Sequence, residues 1–332
     1  MAAILSSLGH AEAPAPATSH RAAWLTCATV FVLLAVLPWL LAPLGLEYYL
    51  GFVRKLLITV LAVSALDLLV GQAGLVAMGQ AGFMGVGAYA VAAGFEAGLT
   101  SSVSLLPLAL GVAALFAAGV GAVAMRVRGV YFIMITLAFA QMMYYLAVTL
   151  KNFGGDDGFN LTARPLLPAG LSLDDDTTFY WLVLGLVALS LWGVQRVMAS
   201  PFGHVLRASR DNEARTSALG HSVFKVRLLA FVFAGALSGL AGALMLVHNG
   251  FVSPASLHWS ASAVLLTMLV IGGIGRRWGP ALGVGLWQLL EEVLKQGTEY
   301  WHWPLGAMLI VVALWAPAGL AALRAGSFMK GR

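Results

Sequence analysis

The sequence predicts an all-α integral membrane protein of about ten transmembrane helices, with Gly-rich broken segments and a long cation-rich cytoplasmic loop. Three observations lead there. Hydrophobic residues make up 60% of the 332 and charged residues 10%, whereas an ordinary soluble domain is about 25% charged. So few charges cannot cover a water-soluble fold of this length. About half of the 38 glycines fall inside apolar runs, where membrane helices use them for close packing. The cations, finally, gather in short connectors between those runs, as membrane topology demands.

Residues 1–21 are rich in Ala and Pro and nearly uncharged, and read as a flexible N-terminal tail. They lack the basic start and compact apolar stretch of a signal peptide, so the first span is expected to stay uncleaved. A spanning helix needs about 20 mostly apolar residues. The runs that qualify are 24–43, 52–70, 82–98, 103–125, 130–150, 179–198, 228–247, 259–274, 281–294 and 303–322, of which the third, eighth and ninth are short.

Connector cations orient the chain. Residues 196–227 hold Arg196, Arg207, Arg210, Arg215, Lys225 and Arg227; Arg126 with Arg128 and Arg276 with Arg277 mark two further connectors. Arg324, Lys330 and Arg332 mark the C-terminal tail, 326–332 with its approach. Ten spans put all of these on the cytoplasmic side. The connector 151–178, net negative through Asp156, Asp157, Asp174, Asp175 and Asp176, falls outside. Arg54 and Lys55 run against this pattern, near the outer end of the second span.

Two stretches interrupt the helices. One runs from Gly71 through Gly74, Gly79 and Gly82 to Gly87, the other from Gly272 through Gly275 and Gly279 to Gly285. Glycine-broken segments at matching places in two halves point to a transport pathway; each glycine singly is equally served by tight helix packing. Asp67 lies in an apolar helix just before the first break. A mid-membrane carboxylate costs about 2.5–3.5 kcal/mol on insertion scales, so it either faces a partner or cavity or lies at the interface bonded to amides near Gly71. Gln72, Gln80, Thr136 and Gln141 are candidate pathway groups, or simply bonds between helices.

Several chemistries are set aside. Cys27 is the only cysteine, so neither an intrachain disulfide nor a cysteine metal cluster can form. The histidines lack the spacing of a metal site, and Glu291 with Lys295 reads as a local helical ion pair. No basic tract interleaves with aromatics, which argues against nucleic acid. No nucleophile–base pair suggests an enzyme. The G-x-x-x-x-G-K-[ST] phosphate loop is missing as well.

The loop 199–227 carries the densest polar pattern. Ser200-Pro201 suits a helix opening. A second short helix is expected to start with Asp211 as cap and stop at Gly220, where a left-handed residue is favoured.

Five stretches together resemble the branched-chain amino-acid ABC importer permeases, specifically the longer M-type subunit. The pattern G-x-x-G-x-x-x-x-G-x-x-x-F is met by Gly71, Gly74, Gly79 and Phe83. R-G-x-Y-F-x-x-x-T-L-A is met from Arg128 to Ala138, and F-G-x-x-L-R-A-x-R-D-x-E from Phe202 to Glu213. Leu237 to Gly242 leads to Gly250 through Pro254, and G-G-x-G-x-x-W-G-P is met from Gly272 to Pro280. Asp67 stands where similar permeases usually carry Asn, Gln80 where they often carry His, and Arg276 and Arg277 replace smaller residues.

The resemblance implies one permease domain over 22–325, in a bacterial inner membrane, with 199–227 as the loop that docks on an ATPase. Arg207, Arg210, Asp211, Glu213, Arg215 and Gly220 would then serve that docking, and Asp67, Gln72, Gly74, Gly79, Gln80, Thr136, Gln141, Gly272 and Gly275 the pathway. The implied partners are two ABC ATPase subunits, a second permease subunit and an extracytoplasmic substrate-binding protein. The chain itself would bind no cofactor, ATP being used by the ATPases. The implied cargo is a hydrophobic amino acid such as leucine, isoleucine or valine; urea and short amides are carried within the same family. An ion-coupled secondary transporter using Asp67 is the rival class. The segment 154–158 is expected to be either a plain turn or a mobile loop meeting the binding protein.

Overall fold

The computed structural model describes residues 20–41, 47–166, 175–297, 303, 306 and 319–323. The chain divides into two units, Met1–Glu47 and Tyr48–Arg332. The first holds α1 (His20–Leu41), an apolar helix with Pro38 in its last turn.

Helix α2 (Glu47–Asp67), whose residues from Tyr48 on open the second unit, passes into a π-helical turn at Leu68–Gln72. After an extended stretch come α3 (Gln80–Glu96), α4 (Ser102–Ala124) and α5 (Val130–Thr149). Next is α6 (Asp176–Met198), opened by Asp175, whose carboxylate accepts from the Thr178 amide at 3.1 Å. Hydrogen bonds from the hydroxyls of Thr178 and Thr177 hold the Asp175 carboxyl below the usual carboxylate range. Two short helices follow, α7 (Pro201–Asp211) and α8 (Glu213–Ala218), then the long α9 (Val223–Asn249). The described order closes with α10 (Trp259–Gly272), α11 (Gly279–Gly297) and α12 (Leu320–Leu323).

Burial identifies the centre. Over its most apolar stretch α9 is 83% buried, against 28%, 22% and 28% for α4, α5 and α6. Lipid is as apolar as leucine, so helices associate in it through close packing of small residues rather than through water exclusion. The α9 surface meets that requirement. A methyl group at Gly242 would collide with the Met84 carbonyl, one at Gly87 with the Gly239 carbonyl, and one at Gly235 with the Ala117 side chain. Beside these approaches Phe83 meets Phe231 and Phe116 edge-on, at ring distances of 5.4 and 5.7 Å. The outer helices instead expose large apolar groups, among them Leu115 at 75% and Leu189 at 62%. Such a surface would be a liability in water and suits acyl chains.

These features make an α-helical multi-pass membrane fold. Each of the first nine expected runs falls on a helix, but among the described residues only α4, α5, α6 and α9 are both long and apolar enough to cross a bilayer unaided. α3 and α10 have 17 and 14 residues, and α2 contains Arg54, Lys55 and Asp67. The expected tenth run, 303–322, lies almost wholly outside the described residues.

Three of the cation-rich connectors converge on one end. Arg128 pairs with Glu213 at 2.8 Å, Glu213 with Arg227 at 3.1 Å, and Arg277 donates to Gln195 at 2.5 Å. The acidic connector lies at the opposite end, where β1 (Phe159–Asn160) pairs antiparallel with β2 (Phe251–Val252). There 154–158 forms turns clamped by this ladder, with Gly158 packed against Val252 and Phe251. Arg54 also sits at this end, and its burial explains the exception to the charge pattern. Its side chain is 5% exposed, 2.8 Å from an Asp176 carboxylate oxygen that Arg164 also reaches at 3.0 Å. Both guanidinium groups lie over the Phe179 ring, at 5.2 and 5.6 Å. Arg54 is therefore a structural cation, sharing one carboxylate with Arg164, rather than a topological one.

Two outcomes follow for stability. Gly242→Val should destabilise the detergent-solubilised protein by about 1–3 kcal/mol through overpacking, read as a lower midpoint for loss of the monodisperse peak on heating. Gly285, with open space around it, serves as the control and should tolerate the same change. Asp176→Ala should cost about 1–2 kcal/mol, since Arg54 loses its carboxylate but keeps the Asp176 main-chain carbonyl. The double variant Arg54→Met, Asp176→Asn should recover most of that midpoint.

Candidate functional site

The site grows from a helix that cannot continue. Past Asp67 the glycines at 71 and 74 remove the side chains that would hold a helical turn, and α2 loosens into its π turn. The Leu75 amide, which a continuing α-helix would direct at the Gly71 carbonyl, reaches Leu69 O instead at 2.9 Å. The Gly71 carbonyl is thereby released. Buried backbone groups need partners within the protein, and each partner here comes from a distant segment.

Arg210, on α7, donates through Nη1 to the Gly71 carbonyl. Its aliphatic stem runs against Gly74, where an added Cβ would lie 2.8 Å from Arg210 Cγ. One turn earlier, Arg207 donates to the Gln72 side chain at 3.3 Å. On the other side of the break, Asp67 is nearly buried and its Oδ1 accepts from the Gly275 amide at 2.7 Å. Of the two readings left open for Asp67, a partner or cavity on the one hand and amides near Gly71 on the other, the structure supplies a partner, and it is an amide of the second glycine stretch. The two stretches touch directly, because a Cβ at Gly71 would run into the Gly275 backbone and the Asp67 carboxylate.

The far side of the first break is satisfied by hydroxyls. Met78 N donates to Thr136 Oγ1 at 3.1 Å, and Ala81 N to Ser262 Oγ at 2.9 Å. Gln80, fully buried, donates to Ser238. The N-terminus of α3 is thus stitched to α5, α10 and α9. In the second break Gly272 and Gly283 let α10 and α11 cross closely, since a methyl on either would meet main-chain atoms of the facing helix or its approach.

The connector α7–α8 forms an elbow against this junction. Ser200 stands at the N-cap position of α7 with Pro201 after it, but its hydroxyl donates back to Val197 O at 2.6 Å rather than capping. The cap of α8 is Asn212, which accepts from the Arg215 amide at 2.9 Å, whereas Asp211 ends α7. The expected cap at Asp211 is thus shifted by one residue, because Asn212 has the extended backbone that a cap requires. The expected stop at Gly220 is present, with φ +86. Arg227 holds the elbow to α9 through Ser209 O at 2.7 Å.

The structure therefore brings Asp67, Gln72, Gly74 and Gly275 together with Arg207 and Arg210, merging groups that the sequence assigned to separate tasks. Gly79, Gln80 and Thr136 form an adjoining cluster, and Gly272 lies at the α10–α11 crossing. Gln141 stands apart, accepting from the Trp259 amide at 3.3 Å. Glu213 is engaged by Arg128 and Arg227, while Asp211, Arg215 and Gly220 are exposed. Sequence reasoning passed over Ser238 and Ser262; a hydroxyl amid apolar residues was their only signal. Among the described residues no three His, Cys, Asp or Glu side chains gather as a metal site would need.

A profile described as "Branched-chain amino acid transport system / permease component" matches residues 48–313. The high-affinity branched-chain amino acid transport system permease proteins LivM of Salmonella typhimurium and Escherichia coli are each 31% identical over 278 residues, covering 77% of this chain. The match spans 65% of the length of those relatives. The corresponding LivH protein of Escherichia coli is 31% identical over 145 residues, 42% of this chain and 45% of its own. No solved structure matches.

The junction yields one direct expectation. Asp67→Asn keeps an acceptor oxygen for the Gly275 amide and should retain thermal stability and uptake in cells. Asp67→Leu leaves that amide unpaired and should lower stability by about 1–3 kcal/mol, with uptake falling in step. Collapse of uptake in the Asn variant at normal membrane level would show that the charge itself is needed.

Proposed function

The chain belongs to the branched-chain amino-acid transport permease family, and from that premise we propose that it is one of two permease subunits of an ATP-binding-cassette importer. Its cargo is a branched-chain or related hydrophobic amino acid, carried into a bacterial cytoplasm across the inner membrane by alternating access. An extracytoplasmic binding protein delivers the cargo, and two separate ATPase subunits supply the drive, in keeping with a sequence that has no phosphate loop of its own.

One observation supports this reading above the others. The elbow α7–α8 has two differently employed faces. Its inner face is bonded to the first glycine break, whereas Asp211, Arg215, Leu219 and Gly220 are exposed on its outer face, Leu219 at 73%. An exposed leucine beside charges at the cation-rich end suits contact with a partner that moves. An ion-coupled carrier would give this elbow no task, and Asp67 already has a backbone amide as partner.

Uptake of radiolabelled leucine should require the ATPase subunits and ATP and should persist in the presence of an uncoupler. Uptake abolished by the uncoupler and indifferent to ATP depletion would establish the ion-coupled class instead. Orientation is checked separately, in a Cys27→Ala background. An impermeant maleimide should label Thr162→Cys in intact cells and Ser217→Cys only after permeabilisation. Labelling of position 217 from outside would overturn the assignment of the elbow to the cytoplasm.

A further inference from the structure

Arg210 occupies a position that a docking residue does not need. Its guanidinium is turned inward to a carbonyl that the π turn has released, and its stem is seated on Gly74. The carbonyl belongs to Gly71, whose α-carbon faces Gly275 too closely for any side chain, and Gly275 is held in turn by Asp67. A continuous chain of contacts thus runs from the elbow to the first glycine break and on to the second. The elbow itself is braced as a unit, by Arg227 to Ser209 O and by Glu213 between Arg128 and Arg227. Arg210 and Arg207 are its described side-chain bonds to the first break.

We infer that Arg210 is a positioning residue that latches the elbow to the crossing of the two glycine segments, with Asp67 as the second pin of the same latch. Displacement of the elbow then pulls on the Gly71 carbonyl and shifts the break in α2 against Gly275. The guanidinium suits this role because it is always charged and donates strongly to a bare carbonyl. Glycine at 71 and 74 suits it because neither position leaves room for a side chain between arginine, backbone and backbone. The consequence for coupling rests on the importer reading above; the latch itself does not.

The test therefore has two arms. In the first, the full-length chain in nanodiscs is followed by hydrogen–deuterium exchange. Arg210→Met keeps the stem on Gly74 but loses the donor, and should speed exchange of amides within 71–78 about tenfold, with a smaller rise within 273–278. Arg210→Lys, which retains a cationic donor, should restore most of the protection. Arg196→Ala, an exposed cation before the elbow, should change nothing. Unchanged exchange in Arg210→Met, or an equal rise throughout the chain, would overturn the latch. In the second arm, uptake and ATP hydrolysis are measured together in the assembled transporter. Arg210→Met should lower the amino acid moved per ATP hydrolysed about tenfold, with Arg210→Lys in between, and an unchanged ratio would refute transmission through Arg210. Wild-type uptake that ignores ATP would sink the importer reading alone, since the exchange arm still decides the latch.

Discussion

A helix that breaks inside a protein interior releases amides and carbonyls that no water is there to receive. This constraint organises the junction. The break after α2 frees groups on both its flanks, and the fold answers with Arg210, Thr136 and Ser262, each from a different helix. The second break is answered by Asp67. Irregular backbone is thus admitted only where the rest of the chain closes around it. Because every answering group is remote in sequence, the same bonds that satisfy the backbone also tie the elements together. Polar satisfaction and tertiary architecture are one problem here.

The apolar packing depends on the same economy of space. α9 can lie between α3 and α4 because Gly235, Gly239 and Gly242 let main chains approach one another, and dispersion between closely fitted atoms replaces the missing drive of water exclusion. The close fit in turn places Ser238 beside Gln80 and brings the start of α3 within reach of Ser262. Looser packing would leave those polar groups stranded in hydrocarbon.

Much of this was legible in the sequence where the cause is local. Apolar run length located the helices, Gly220 announced a left-handed stop, and Glu291 with Lys295 announced an ion pair found at 2.5 Å. Connector cations foretold that three of the loops would share an end, the fourth stretch, with Arg324, Lys330 and Arg332, lying outside the described residues. What stayed hidden is pairing across long separations. Nothing near Asp67 points to an amide 208 residues away, and nothing near Arg210 says that it turns inward. The single-residue shift of the α8 cap to Asn212 is of another kind, since Asp and Asn are nearly equivalent caps and backbone geometry chose between them. Arg54 misled for a related reason: a charge reads as topological until its counter-ion is known.

That counter-ion has a consequence for biosynthesis. Arg54 and Asp176 are 122 residues apart, so at ribosomal rates of ~5–20 residues per second the arginine is made roughly 6–24 s before the carboxylate that pairs with it. During that interval α2 must hold an unpaired cation near the membrane surface, where a long side chain can reach the headgroups. The final, buried seat of Arg54 beside Phe179 becomes available only when α6 arrives. Insertion of the early helices is therefore provisional, and the arrival of α6 is the event that commits them.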